Sequence, residues 1–219
     1  MRKVELVKTP FPHIIGTNFF SLDELQDIWE ELKFLSKPDK LFLPGVHHGA
    51  GGPNGLTGSR ALCLEEAYRI PEISNILQIY KTTLNDEVIL SVSNQWPSYL
   101  RLGFIDEVIT KVRYYYNGDK YGPHTDFRQD FLLFTYFHTE PKKFTGGEIY
   151  FPEYDYIFNC NNNSLIIFPG YIQHEVKEVS INNDDYWNCN GRYCISQFLS
   201  ISKNMSGYIK NKGGAPQYE

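Results

Sequence analysis

The sequence predicts a mainly β protein, a sandwich or barrel, with helices gathered in its N-terminal part. Three observations lead there. From Glu107 onward, short segments rich in Val, Ile, Phe and Tyr alternate with turn signals. Before that point, two apolar stripes recur at helical spacing, and after it no long helix fits.

The first stripe follows Ser21-Leu22-Asp23-Glu24, which has the Ser-x-x-Glu form of a capping box, and runs through Leu22, Leu25, Ile28, Trp29, Leu32 and Leu35. A second helix is predicted from Pro71, a residue suited to a first turn, using Ile73, Ile76, Leu77, Tyr80 and Leu84. Both stripes need a surface to cover, and the outer face of the larger sheet is the obvious one. Between them, residues 44–60 are rich in glycine. That segment lacks the Gly-Lys-Ser or Gly-Lys-Thr ending of a phosphate-binding loop. Its His47-His48 reads as solvent-exposed.

The predicted strands span 108–116, 131–138, 148–151, 154–158, 164–168, 174–179 and 192–201. Asn117-Gly118-Asp119, Gly146-Gly147, residues 159–163, Pro169-Gly170 and residues 182–191 separate them. Closely spaced strands of this kind suit a barrel, whose mouth is a usual place for a small-molecule site.

A chain of 219 residues, 42% hydrophobic and 16% aromatic, can bury a full core as one domain. The expected organisation is a helical and loop-rich part over 1–106, a β core over 107–201 and a tail over 202–219. Cys63, Cys160, Cys189 and Cys194 show no C-x-x-C spacing, and there is neither a cleavable signal nor an apolar run of roughly 18 residues. The default expectation is a soluble protein of the reducing cytoplasm with no membrane partner. A net charge of −5 gives no electrostatic footprint for nucleic acid.

The chemistry-bearing residues begin with His124-Thr125-Asp126. Alternate side chains of an extended strand share a face, so His124 and Asp126 can reach one metal while Thr125 points away. A third ligand on that face must come from another strand. His174, which follows the apolar run Ser164-Leu165-Ile166-Ile167-Phe168 and the turn Pro169-Gly170, is the plausible donor. Two imidazoles and one carboxylate on one face of an octahedral metal leave three positions open, the arrangement of non-haem Fe(II) sites that activate O₂. Taken alone, the triplet is equally readable as a turn residue beside Gly122-Pro123 and a capping aspartate.

The run from Tyr114-Tyr115-Tyr116 to His124-Thr125-Asp126, then Tyr136-Phe137, Gly146-Gly147-Glu148-Ile149-Tyr150-Phe151-Pro152, Phe168-Pro169-Gly170, His174-Glu175-Val176 and Gly191-Arg192-Tyr193, resembles the Fe(II)- and 2-oxoglutarate-dependent dioxygenases of the prolyl 4-hydroxylase type. The resemblance implies a double-stranded β-helix, a jelly-roll and cupin-like barrel with N-terminal helices on its major sheet. It implies His124, Asp126 and His174 as ligands of Fe(II), Arg192 as the anchor of the far carboxylate of 2-oxoglutarate, and Tyr136 and Tyr115 as further contacts to that cosubstrate. A guanidinium suits the anchoring role because its planar fork grips a carboxylate with two parallel hydrogen bonds. The implied reaction consumes O₂ and 2-oxoglutarate, releases succinate and CO₂, is supported by ascorbate, and hydroxylates a prolyl residue of a peptide or protein. No catalytic residue beyond the metal site is implied, and residues 44–60 become a candidate substrate lid.

Departures and alternatives accompany the match. The interval from His174 to Arg192 is longer than in the family, with the excess in residues 182–190; a hairpin insertion there is tolerated because loop-closure entropy grows slowly with length. Tyr114 and Tyr116 compete with Tyr115 for the cosubstrate contact, and His138 shares strand parity with Tyr136, although a structural histidine is the plainer reading. Arg192 also reads as a solvated strand-end arginine. The family's nucleic-acid demethylases carry a second arginine where Phe198 stands, which argues against base repair, and its halogenases lack the carboxylate that Asp126 supplies. Free amino acids or other small molecules remain alternative substrates, and a catalytically silent peptide-binding barrel remains an alternative to an enzyme.

Overall fold

The computed structural model describes residues 4–36 and 59–202. In chain order the strands are β1 (Glu5–Val7), β2 (His13–Thr17), β3 (Arg60–Cys63), β4 (Glu107–Tyr114), β5 (Tyr121–His124), β6 (Phe131–Phe137), β7 (Phe144–Thr145), β8 (Ile149–Phe151), β9 (Tyr156–Phe158), β10 (Ser164–Pro169), β11 (His174–Val176), β12 (Ser180–Ile181) and β13 (Tyr193–Ser200). The helices are α1 (Leu22–Leu35), α2 (Leu64–Ala67), α3 (Asn75–Tyr80), α4 (Asp86–Ser93) and α5 (Asn183–Trp187), with 3₁₀ turns at Pro71–Ile73, Pro97–Phe104 and Pro152–Tyr154.

These strands build a double-stranded β-helix. A seven-stranded sheet has the order β1-β2-β10-β6-β13-β4-β3, and a four-stranded sheet has the order β5-β11-β8-β9. All pairings in the two sheets are antiparallel. Every residue of β6 is buried, because the major sheet is covered on both faces, and a strand buried on both faces reads as one continuous apolar run. Along its inner face, Phe134 and Phe168 meet with ring centroids 5.5 Å apart, and Phe168 then meets Phe151 of the minor sheet at 5.0 Å. Those edge-to-face contacts join the two sheets beneath the open end.

Helix α1 covers the outer face, as its stripe predicts. The Ser21 hydroxyl accepts from the Glu24 N–H while the Glu24 carboxylate accepts from the Ser21 N–H, so two otherwise orphaned donors at the helix start are satisfied. Ile28 and Leu32 are fully buried, and Trp29 sets its ring edge-on against Phe137 of β6 and Tyr193 of β13. Leu22, counted in the stripe, sits in the first turn and is exposed.

Two expectations need correction, and a third is filled in. The helix predicted from Pro71 through Leu84 is instead a 3₁₀ turn followed by α3, which ends at Tyr80, and α4 starts only after Leu84. Ser74 breaks it, accepting from the Leu77 N–H to cap α3 and donating its own hydroxyl to the buried Glu31 carboxylate. Asn85 caps α4 in the same way through the Val88 N–H, and Ile73 ends up exposed. The region before Glu107 is not only helices and loops, because β1, β2 and β3 form the two edges of the major sheet. The excess between His174 and Arg192 folds as α5, whose Tyr186 stacks on Tyr114 at 4.7 Å.

Residues 44–58 of the proposed lid, with His47-His48, and residues 203–219 of the tail lie outside the described residues. No described helix is long and apolar enough to cross a membrane.

Truncating Ile28, fully buried between α1 and the sheet, should cost about 2–5 kcal/mol of stability. Urea unfolding of Ile28→Ala against the parent checks this; an unchanged midpoint would mean that α1 is not packed on the barrel.

Candidate active site

The site lies at the open end of the barrel and draws on both sheets. In the minor sheet β11 pairs with β5, and the register sets His174 directly opposite His124. Asp126 lies beyond the end of β5, so the strand geometry expected of the triplet holds for His124 and stops there. A turn positions the aspartate instead: its N–H donates to Gly170 O at 2.9 Å and its carbonyl accepts from the Gln129 N–H at 2.8 Å. Only glycine fits at 170, because a Cβ there would lie 2.6 Å from Asp126 O and 2.4 Å from Gln129 O.

Both imidazoles are oriented alike. Nδ1–H of His124 donates to Gly122 O at 2.8 Å, and Nδ1–H of His174 donates to Ile172 O at 3.0 Å. A carbonyl only accepts, so Nδ1 carries the hydrogen and each Nε2 presents a lone pair. These Nε2 atoms lie 3.9 Å and 3.7 Å from Asp126 Oδ2, beyond hydrogen-bonding range, and the donor atoms of the three residues are all within 4.8 Å of one another.

Electrostatics favours the ligand forms of both rings. Burial, assisted by the neighbouring His124, pushes the His174 pKa down to about 3, and burial also lowers that of His124. Burial raises the Asp126 carboxyl, opposed by His124, Arg113 and Lys111. Two neutral imidazoles and a carboxylate converging on one point can hold a divalent ion of the non-haem iron kind.

At the other end of the same cavity stands Arg192, on the approach to β13. Its side chain is fully buried, which removes the reading of a solvated strand-end arginine. Nε–H donates to Gly147 O at 2.7 Å and Nη2 lies 3.7 Å from the Cys160 thiol, while Nη1 has no hydrogen-bond partner among the described residues. The guanidinium rests over the Tyr115 ring at 4.1 Å and beside the Tyr136 ring at 5.1 Å. Tyr136 Oη is likewise buried without a partner. A buried cation left uncompensated costs several kcal/mol, so this end is built to receive an anion. Gly147 is required for the close approach: at φ +77°, its Cβ would meet Arg192 Cδ at 2.4 Å.

The cavity between the two ends has a volume of about 110 Å³. Tyr115 lines it, whereas Tyr114 faces the outside of the sheet, donating to Tyr186 O at 2.5 Å and accepting from the Gly191 N–H at 3.1 Å. Tyr116 is half exposed and bonds to Asn183. His138 is buried outside the cavity with Nδ1 3.1 Å from Thr139 O. The sequence reading missed Tyr121, whose ring lies 3.9 Å from that of His124, and it missed Lys111 and Arg113, which also line the cavity. The signal for the latter two was available: counting back from Tyr115 by twos along β4 reaches Arg113 and then Lys111.

Residues 110–200 match the family model of the 2OG-Fe(II) oxygenase superfamily. That span is similar to a 2OG-Fe(II) oxygenase domain. That family implies Fe(II), 2-oxoglutarate and O₂, and the matched span contains both the His-Asp-His cluster and Arg192. Among solved structures similar to this chain is a Pseudomonas putida prolyl-4-hydroxylase, at 13% identity over 87% of this chain and 92% of that one, with a TM-score of 0.57. Another is a Trichoplax adhaerens prolyl hydroxylase in complex with a hypoxia inducible factor peptide, at 17% identity over 89% of this chain and 86% of that one, TM-score 0.59. A third is the viral collagen prolyl hydroxylase of Paramecium Bursaria Chlorella virus-1 in its 2OG complex, at 16% identity over 85% and 94%, TM-score 0.51. At such identities the likeness is one of fold. No curated protein matches the chain by sequence.

His174 stays neutral in the fold down to a pH of about 3, while an unfolded histidine titrates near 6.5. As pH falls below 6.5 the unfolded chain takes up a proton that the folded chain refuses, so stability falls with pH. Between pH 7 and pH 5 this group alone is worth about 2 kcal/mol. Urea unfolding of the metal-free protein should show that loss, reduced in His174→Gln; equal losses in both proteins would exclude His174 as its source.

Proposed function

We propose that this protein is an Fe(II)- and 2-oxoglutarate-dependent dioxygenase that hydroxylates a prolyl residue of a peptide or protein, with release of succinate and CO₂. The observation that carries the reading is one cavity holding two complementary ends. Three convergent donors stand at one, and a buried guanidinium with an unpartnered Nη1 stands beside an unpartnered tyrosine hydroxyl at the other.

In this reading His124, Asp126 and His174 hold the iron. Arg192 Nη1 and Tyr136 Oη receive the far carboxylate of 2-oxoglutarate, and the face of Tyr115 supports the guanidinium from below. The bound iron supplies activation of O₂ coupled to cosubstrate decarboxylation, one oxygen atom entering succinate and the other the substrate C–H bond. The chain's remaining work is positional. Gly122 and Ile172 carbonyls fix the ligand tautomers, and Phe134, Ile149 and Phe198 keep apolar walls around the cavity that exclude water. Ascorbate, by keeping the iron reduced, and a cytoplasmic setting complete the proposal.

Prolyl specificity draws support from the named fold neighbours, one of which was captured with its peptide.

Anaerobic addition of Fe(II) and 2-oxoglutarate should produce a visible metal-to-ligand charge-transfer band. Arg192→Ala should weaken 2-oxoglutarate binding by about tenfold or more while Fe(II) still binds, the size expected for a lost charge-assisted contact. Under air, mass spectrometry of proline-rich peptides should show the gain of one oxygen on proline. The absence of any band in the parent protein would sink the cosubstrate assignment, and oxidation confined to other residues would sink the prolyl one.

A further inference from the structure

Beside Gly147 O and the Tyr115 ring, the guanidinium of Arg192 meets a third group, and that one belongs to no motif of the family resemblance. The Cys160 thiol stands 3.7 Å from Nη2. Its own S–H donates to Gly147 O at 3.3 Å, so one carbonyl receives both the Cys160 S–H and the Arg192 Nε–H. Guanidinium, carbonyl and sulfur thus close a ring of contacts. Cys160 is itself buried and fixed, in the turn between β9 and β10. That turn is tied to β6 through the Asn163 N–H, which donates to Tyr136 O at 2.9 Å.

A long, rotatable arginine side chain can present different edges of its planar group to a ligand, and only some of them grip a carboxylate well. Here Gly147 O and the sulfur take the edge formed by Nε and Nη2, which leaves Nη1 as the end without a partner. A thiol suits that place. Burial pushes the Cys160 thiol up, against the opposing pull of Arg192, and a neutral sulfur leaves the positive charge for a ligand to compensate. A carboxylate at the same position would neutralise Arg192 from within and close the site to an anion. Sulfur is also a weak acceptor, so it steers Nη2 without competing strongly for the guanidinium.

We infer that Cys160 is a positioning residue for the cosubstrate: through Nη2 it sets which edge of the Arg192 guanidinium meets the far carboxylate of 2-oxoglutarate. The inference rests on the reading of this cavity as a 2-oxoglutarate and iron site. It gives work to a cysteine whose spacing in the sequence matches no catalytic or metal-binding pattern.

The test titrates the Fe(II)-loaded protein anaerobically and follows the charge-transfer band. Two ligands are compared: 2-oxoglutarate, and 2-oxopentanoate, which keeps the keto-acid end and the chain length but lacks the far carboxylate. Their affinity ratio within one protein is the readout, since general loosening of the barrel weakens both alike. Cys160→Ala should weaken 2-oxoglutarate by about fivefold and leave 2-oxopentanoate unchanged, the size expected for one lost hydrogen-bonding partner. Cys160→Val, which fills the space without accepting a hydrogen bond, should behave in the same way and serves where the alanine protein folds poorly. Cys160→Ser keeps a donor for Gly147 O and an acceptor for Nη2, and should return the ratio to within about twofold of the parent. An unchanged ratio in the alanine and valine proteins overturns the inference. Equal weakening of both ligands does so too, because the cysteine would then serve packing alone, as does a serine protein no better than alanine. Failure of the cosubstrate reading is separate: it shows in the parent, as the absence of any band with 2-oxoglutarate or as equal affinity for the two ligands.

Discussion

The whole site is organised around a guanidinium buried at one end of the cavity. Arg192 loses its hydration there and recovers one strong hydrogen bond, to Gly147 O, and the face of Tyr115. That leaves Nη1 and the nearby Tyr136 Oη in want of a partner. A cation in this condition is tolerated only if the surrounding fold is stable enough to hold it and if a ligand compensates it in the working state. The required stability comes from β13 and β6, central strands of the major sheet, with α1 and α3 sealing their outer face. The approach of Arg192 to the chain at Gly147 excludes any side chain at that turn.

The division of labour between the sheets follows from this. The major sheet carries the anion-receiving end through Tyr115, Tyr136 and Arg192. The minor sheet carries the histidine pair through β5 and β11. Phe168 is the joint, with its ring at 5.0 Å from both Phe151 and His174, so inter-sheet packing and the placement of a candidate metal ligand are one set of contacts. Chemistry at the open end is thereby supported by apolar packing and not by a network of mobile polar side chains. Such support keeps the donor geometry fixed when ligands come and go.

Much of this was legible in the residues. Val, Ile, Phe and Tyr between turn signals gave strands at nearly their observed bounds for β4, β6, β10 and β13. Ser21 with Glu24 marked the start of α1. The His-x-Asp triplet, His174 and Arg192 were recognisable as a set, and the structure brings them into one cavity. Other parts were not legible. The stripe through Ile73 and Leu84 has helical spacing, yet Ser74 is drawn into a hydrogen bond with Glu31, far away in sequence, and that contact breaks the helix. Strands β1, β2 and β3 are short, and β2 and β3 join the sheet only through β10 and β4, partners distant in sequence, with β1 paired to β2 at its edge.

By itself, then, the sequence determined the fold class, the order of the main strands and which side chains are candidates for the chemistry, because these depend on periodicity, turn residues and donor type. The tertiary structure decided the rest. Asp126 reaches the cluster through a turn held by Gly170, Tyr115 and not its neighbours faces the cavity, and Lys111 and Arg113 point the same way. The physical reason is that a side chain's partners are set by strand register and sheet closure, and those are fixed by contacts between residues far apart along the chain.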